Sequence, residues 1–343
     1  MKAALFEQFR SEPRVCQVAS PVAHDDAAVI EVRACGICRS DWHAWMGHDA
    51  DVRLPHVPGH EIAGRVASVG AAVRHWRPGD RVTVPFSCGC GDCYECIRGN
   101  PHICDDFTQP GFTHWGGFAE AVEIRAADLN LVRLPESVGF VTAASLGCRF
   151  ATSFRAIVQQ GRVAAGEWVA VHGCGGVGLS AVMIARALGA EVIAVDINPG
   201  RLAVAERFGA VPIDARRGDV VAEIRGLTGR GVQVSLDAFG SHETCRDSIH
   251  CLAKRGRHVQ VGLLLGAQAD PPLPMGTVIA NELEILGSHG MQAYCYEPLL
   301  RMIAAGTLRP QNLVSDVVSL ETGAELLTRL DRFPNDGITV IEF

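Results

Sequence analysis

The sequence predicts an α/β protein of two domains, an irregular barrel-like β unit and a doubly wound parallel sheet with crossover helices. Three observations carry that expectation. The chain of 343 residues exceeds what one hydrophobic core usually serves. Up to about residue 147, short β-type runs sit among frequent prolines and glycines, as in small antiparallel barrels. From Trp168 the rhythm changes to apolar strand followed by amphipathic helix, which is the pattern of βα units.

Taken in order, β-type runs fall at residues 28–33, 61–69 and 80–84. A strand at 169–172 leads through a glycine-rich turn into a helix at 179–188 and a strand at 192–196. Helices are then expected at 201–208, 220–226 and 244–253, alternating with strands at 211–214, 232–237, 258–261 and 284–286. Helices at 296–305 and 321–330 precede a last strand at 338–343. No fixed-period repeat and no low-complexity tract interrupts this order.

Composition removes several function classes. With 31 basic against 38 acidic side chains the net charge is −7, and no run of Lys and Arg offers a nucleic-acid surface. The opening residues lack the pattern of a secretory signal, so a cytoplasmic protein is expected. The most apolar stretch, 168–195, is broken by His172, Arg186, Glu191 and glycines, and reads as strand, turn, helix and strand rather than a membrane span. Of 13 cysteines, seven lie between Cys35 and Cys104. Clustered thiols in a chain without an export signal point to metal rather than disulfides.

Gly173-Cys-Gly-Gly-Val-Gly178 follows a strand and opens a helix. In G-x-G-x-x-G, the first glycine permits a tight turn, the second lets the backbone approach a pyrophosphate, and the third lets helix and strand pack. Gly173, Gly175, Gly176, Val177 and Gly178 are therefore candidate dinucleotide contacts at a helix N-terminus, where free N–H groups favour an anion. Asp196 ends the next strand about twenty residues on, placed to bind adenosine ribose hydroxyls and to repel a 2′-phosphate, so NAD is expected over NADP. Arg201 is a further candidate at the adenosine end.

Cys90, Cys93, Cys96 and Cys104 are spaced C-x2-C-x2-C-x7-C, a pattern that turns four thiolates toward one centre. A closed four-sulfur shell suits structural zinc, and an iron–sulfur cluster is the rival for the same ligand type. Cys88 lies just outside this pattern. A second group of possible ligands, Cys35, Cys38, His43, His60, Glu61 and Cys148, is scattered, and spacing alone does not assemble it.

Cys35-Gly-Ile-Cys-Arg-Ser-Asp-Trp-His43, Gly59-His-Glu61, the 90–104 lobe, Leu146-Gly-Cys148 and the glycine loop stand in the order seen in zinc-dependent alcohol dehydrogenases of the medium-chain dehydrogenase/reductase superfamily. The chain resembles that family over essentially its whole length. The resemblance implies a GroES-like catalytic domain at 1–149, with its zinc lobe at 88–104. It also implies a Rossmann domain at 150–289 and a return to the catalytic domain at 290–343. Cys38, His60 and Cys148 match the ligands of a catalytic zinc, Glu61 an adjacent acid able to act as alternate ligand, and Asp41 the carboxylate behind the zinc-bound His. Cys35 matches no ligand. Arg39 matches a position on the cofactor pyrophosphate, Ser40 the acceptor of the alcohol proton, and His43 the end of a proton relay. Val261 and Leu263 match backbone that meets the nicotinamide. The expected cofactors are NAD and two zinc ions per chain.

Ser40, Trp42, Phe86 and Trp115 are expected to line an apolar channel for a simple alcohol oxidised to aldehyde or ketone, with Trp45 close by. An Arg that some relatives carry near the last strand is missing from residues 337–343. The chain length resembles that of relatives that form homotetramers, with a dimer as the other possibility. Two rival functions remain in view: a polyol or amino-alcohol dehydrogenase with a polar pocket, and a zinc-ribbon-like module that grips nucleic acid. The acidic charge and lack of a basic stripe weigh against the second rival.

Overall fold

Strand Ala28–Ile37 is the spine of the first half of the molecule because it finds partners on both edges. It pairs antiparallel with Glu61–Val69, with Ala121–Ile124 and with Ile338–Glu342. The computed structural model describes residues 1–330 and 337–343. It divides into one unit of Met1–Ala151 with Gly290–Phe343 and a second of Thr152–His289.

In the first unit a 7-stranded sheet also takes in Arg81–Val84, Val132–Arg133 and Val314–Val318. Its core is built from Ile30, Val32, Ile62, Val66, Val82, Val84, Phe118 and Ile341, all buried. The register sets the function: Cys35 lies opposite Ile62 and Gly36 opposite Glu61. Cys38, just past the end of one strand, and His60, just before the start of the other, are thereby delivered to the same end of the sheet. Strand Ala28–Ile37 runs further than the expected 28–33, because the partner strands continue to pair through Ala34-Cys-Gly-Ile37.

The second unit holds a 6-stranded parallel sheet. Its order is Val211–Asp214, Glu191–Asp196, Trp168–His172, Val232–Asp237, Leu252–Gln260, Glu284–Gly287. Numbered within this unit, that is 3-2-1-4-5-6, the doubly wound dinucleotide-binding arrangement with its switch point beside the first strand. Ile193, Val195, Ile213, Ile224, Val232 and Ile249 form part of its core. The helix expected at 244–253 occupies His242–His250 instead. Ser241 caps it through the Thr244 N–H, and Leu252 is drawn into a strand beside Val232–Asp237. Among the described residues no helix is long and apolar enough to cross a membrane.

Candidate active site and metal centres

The four lobe cysteines converge as their spacing implies. Cys90 and Cys104 sulfurs stand 3.4 Å apart, Cys93 and Cys104 3.6 Å, and Cys90 and Cys96 4.0 Å. Four sulfurs each about 2.3 Å from one tetrahedral centre would be about 3.8 Å from one another, so the set fits a single zinc. An iron–sulfur cluster would hold its thiolates further apart around an inorganic core. Backbone N–H groups of Cys90 and Asp106 donate to Cys104 Sγ. N–H groups of Cys96 and Asp105 pull the Cys93 thiol down to about 6. Cys88 is fully buried, donates to the Pro85 carbonyl and stays outside the set, its thiol pushed up to about 12 by burial.

The second set also assembles. One donor atom each from Cys38, His60, Glu61 and Cys148 lie within 4.8 Å of one another. Cys38 is the N-cap of helix Arg39–Trp45, whose capping box is closed by Asp41. The Asp41 carboxylate, fully buried, accepts from the Cys38 N–H at 2.8 Å, the Gly59 N–H at 3.1 Å and His60 Nδ1 at 2.7 Å. One acid thus caps the helix and fixes the imidazole with Nδ1 as donor. His60 Nε2 is left buried with no hydrogen-bond partner. A buried ring nitrogen without a partner, beside two thiols and with its tautomer fixed, is the donor that zinc requires. Burial pulls the His60 pKa down, but the Asp41 charge and hydrogen bond outweigh it and hold the pKa well above its ordinary value. The Cys38 thiol is held well below its usual range, first by a hydrogen bond from Cys148. Cys148 sits on a π-helical turn, Leu146–Phe150, and the Phe86 N–H donates to the Gly147 carbonyl at 2.9 Å, bringing that turn against the sheet.

Glu61 has a partner that sequence reasoning missed. Arg149 binds it through Nε at 3.0 Å, through a very short contact from a terminal guanidinium nitrogen, and through its backbone N–H at 3.2 Å. Both side chains are buried. Burial raises the Glu61 carboxyl and the Arg149 charge opposes that rise. Gly36 makes room for the pair, since a Cβ there would lie 2.2 Å from a Glu61 oxygen. The overlooked signal was a symmetry: a charged residue of opposite sign directly follows each of two candidate ligands, His60-Glu61 and Cys148-Arg149.

The other predicted residues separate into groups. Ser40 is half-buried beside the set, its Oγ accepting from the Cys38 thiol at 3.8 Å. Arg39 is exposed on the same helix. His43 and Trp42 pack edge-on with ring centroids 5.0 Å apart. Phe86 meets His60 edge-on at 6.3 Å, as does Phe112 at 5.4 Å, and Phe112 was not anticipated. Trp115 Nε1 donates to the Pro55 carbonyl and Trp45 Nε1 to that of Ser11. Both pack on the core cluster of this unit. Cys35 is fully buried, as a packed cysteine should be.

In the second unit the glycine loop has the geometry its sequence implies. Gly173 takes φ +92, and a Cβ on Gly178 would lie 1.8 Å from the Gly173 carbonyl oxygen. A Cβ on Gly175, the N-cap of helix Gly176–Ala187, would meet no protein atom within 4 Å. The backbone is therefore open where a pyrophosphate would approach, with Val177 in the first turn. Asp196 accepts from the Cys174 N–H at 2.6 Å and the Asn198 N–H at 2.8 Å, which holds its carboxylate at the loop. Its charge and that of Arg201 both act on the Cys174 thiol. The Val261 N–H donates to the Asp237 carbonyl at 3.0 Å, and Leu263 is exposed next to Gly240.

A doubly wound unit with an open glycine loop, joined in one chain to a β unit with a closed four-sulfur set and a Cys-His-Cys set, defines a zinc-dependent dehydrogenase. Comparison with known proteins agrees. Residues 24–136 match the alcohol dehydrogenase GroES-like domain and residues 176–305 the zinc-binding dehydrogenase domain. An NAD-dependent alcohol dehydrogenase of Sulfurisphaera tokodaii is 32% identical, over 96% of this chain and 98% of its own. A sorbitol dehydrogenase of Bacillus subtilis is 31% identical, over 100% and 97%. The solved alcohol dehydrogenase of Thermus sp. ATN1 is 30% identical and superposes with a TM-score of 0.93, covering 100% of this chain and 99% of that one. The chain belongs to the zinc-dependent alcohol dehydrogenase family of the medium-chain dehydrogenase/reductase superfamily and is an oxidoreductase.

Proposed function

We propose that the protein is an NAD-dependent alcohol dehydrogenase that converts a mostly apolar alcohol reversibly to an aldehyde or ketone, with one catalytic and one structural zinc per chain. The observation that carries this is the Cys38, His60 and Cys148 set, buried at Cys38 and His60 and half-buried at Cys148, with Asp41 fixing His60 so that Nε2 faces no protein partner. Bound zinc supplies Lewis acidity toward the alcohol oxygen and the nicotinamide accepts the hydride.

The remaining work belongs to the chain's own side chains. Asp41 orients His60 and keeps it electron-rich. Ser40 holds the alcohol proton, its hydroxyl being in contact with the Cys38 thiol. His43, half-buried on the same helix, releases it to solvent, and burial together with Arg39 and His48 holds its pKa below the ordinary value, which favours that release. Glu61, bound by Arg149, balances charge beside the set. Arg39 binds the cofactor pyrophosphate, as do Gly173, Gly175, Gly176, Val177 and Gly178. Asp196, with Arg201, selects NAD by binding ribose hydroxyls and repelling a 2′-phosphate. Val261 and Leu263 present backbone to the nicotinamide. Phe86, Phe112 and Trp42 give the substrate an apolar wall. Residues 1–149 and 290–343 form the catalytic domain and 150–289 the cofactor domain of a cytoplasmic homotetramer, the assembly that light scattering would check.

Replacing Cys38 with Ala should abolish alcohol-dependent NADH formation while NADH binding persists. Retained turnover would contradict the proposal. One observation favours a polar substrate as a second reading. Tyr296 is fully buried with no hydrogen-bond partner for its hydroxyl, and the charges of Cys148 and Glu61 reach it. A substrate panel separates the two readings, with sorbitol preferred over benzyl alcohol only under the second.

A further inference from the structure

We propose that His48 is the outer half of a two-histidine proton exit, taking the proton from His43 and giving it up to water. This rests on the reading of His43 as the relay residue and extends it to a residue that nothing in the motif singles out.

The pair is built by a helix ending. Helix Arg39–Trp45 is C-capped by Met46, and Gly47 turns the chain at φ +77. The Gly47 N–H donates to the Ala44 carbonyl and the His48 N–H to the His43 carbonyl, each at 3.0 Å. This double closure is the Schellman motif, which sets the second residue past the cap against the third residue before it. In many helices an apolar contact fills that position; here two imidazoles do, with Nδ1 of His43 3.0 Å from Nδ1 of His48. At that distance one nitrogen donates and the other accepts. Trp42 packs edge-on against both rings, at 5.0 Å and 5.7 Å between centroids, which limits their rotation. His43 is half-buried and His48 exposed, so the pair leads outward.

The transfer balances without a further reagent. His43 starts with its proton on Nδ1, donated to His48 Nδ1, and with a lone pair on Nε2. When Nε2 takes the incoming proton, the Nδ1 proton passes to His48, whose Nε2 proton leaves to water. The starting tautomers return when His48 takes a proton from water at Nε2 and passes its Nδ1 proton back to His43, which gives up its Nε2 proton to water. Burial, Arg39 and His48 all favour loss of the proton from His43, while the Cys38 charge opposes it.

The test uses the zinc-loaded enzyme and a simple alcohol that it oxidises. Proton release in the first turnover is followed with a pH indicator for wild type, His48→Asn and His43→Gln in dilute buffer near pH 7, with and without added imidazole. Asn keeps a hydrogen-bonding side chain but cannot titrate. His48→Asn should release its proton at least tenfold more slowly, against the roughly 10²-fold that loss of a proton-transfer group itself costs. Imidazole should restore the rate and the melting temperature should be unchanged. Wild-type proton release in His48→Asn, or a slowing that imidazole does not rescue, would overturn the pair. If His43→Gln is slowed while His48→Asn is not, only the pair fails. If His43→Gln also releases its proton normally, the relay reading itself fails with it.

Discussion

The two cysteine-containing sets use the same kind of ligand under opposite conditions. The lobe set lies near the surface of a short irregular segment, with Cys90 and Cys93 half-exposed, and backbone N–H groups donate to its sulfurs. The Cys38, His60 and Cys148 set has Cys38 and His60 buried and Cys148 half-buried, and is surrounded by charged side chains, Asp41, Glu61 and Arg149, each already committed to a partner. The difference teaches what each region asks of a metal. Four thiolates close a shell and leave no position for chemistry, whereas two thiolates and an imidazole leave one open. On the proposed reading, the first region would use metal in place of a core and the second a core to hold metal.

The largest expected effect comes from breaking the lobe. Structural zinc in small sites contributes on the order of 10 kcal/mol to folding them. Cys96→Ser should therefore unfold residues 88–108 locally, seen as loss of hydrogen-exchange protection there while the Trp168–His172 strand stays protected. The next effect separates enclosed charge from exposed charge. Arg149→Met leaves the Glu61 carboxylate buried without its partner and should cost about 3–5 kcal/mol in urea unfolding of the zinc-loaded protein. Glu297→Ala, which removes an exposed helical ion pair with Arg301, should cost about 0.5 kcal/mol or less. Equal costs would mean that burial is not what matters at Glu61.

A smaller effect concerns pH and reaches both units. Burial lowers His114 in the first unit and His258 in the second to about 4. Both are neutral in the folded protein and charge more readily when unfolded, so the stability they supply is full above about pH 6.5 and lost as pH falls toward 4. At about 1.4 kcal/mol per pH unit, each accounts for roughly 3 kcal/mol once fully titrated. His258→Gln should remove its share of that acid sensitivity, measured as a flatter stability profile between pH 6.5 and 4.

How much of this was legible in the sequence follows from the distance over which each signal acts. The lobe was readable because its four cysteines are local, and their two-residue gaps are themselves a geometric statement. The glycine loop was readable for the same reason, and the strand before it and Asp196 after it fell where the βα rhythm put them. Cys38, His60 and Cys148 are brought together by sheet register and by a π-helical turn, neither of which leaves a mark on spacing, so family resemblance had to supply them. Arg149 and His48 were missed because each acts through a close contact: one an ion pair across the sheet end, the other the closing turn of a helix. Gly47 after a helix of the form Asp-Trp-His-Ala-Trp-Met was the available clue to the second. Element bounds shifted where a capping residue or a partner strand overrode local preference, as at Ser241 and Leu252.

The central claim is that the chain carries two independent zinc sites, one for structure and one for reaction. Native mass spectrometry of the wild type, Cys38→Ala and Cys96→Ala, with zinc counted per chain and alcohol-dependent NADH formation measured on the same samples, tests it directly. The account predicts two zinc ions in the wild type, one in Cys38→Ala with no turnover, and one in Cys96→Ala at the remaining Cys38, His60 and Cys148 set. A wild type with one zinc, or a Cys38→Ala protein that keeps both zinc ions and turns over alcohol, would contradict it.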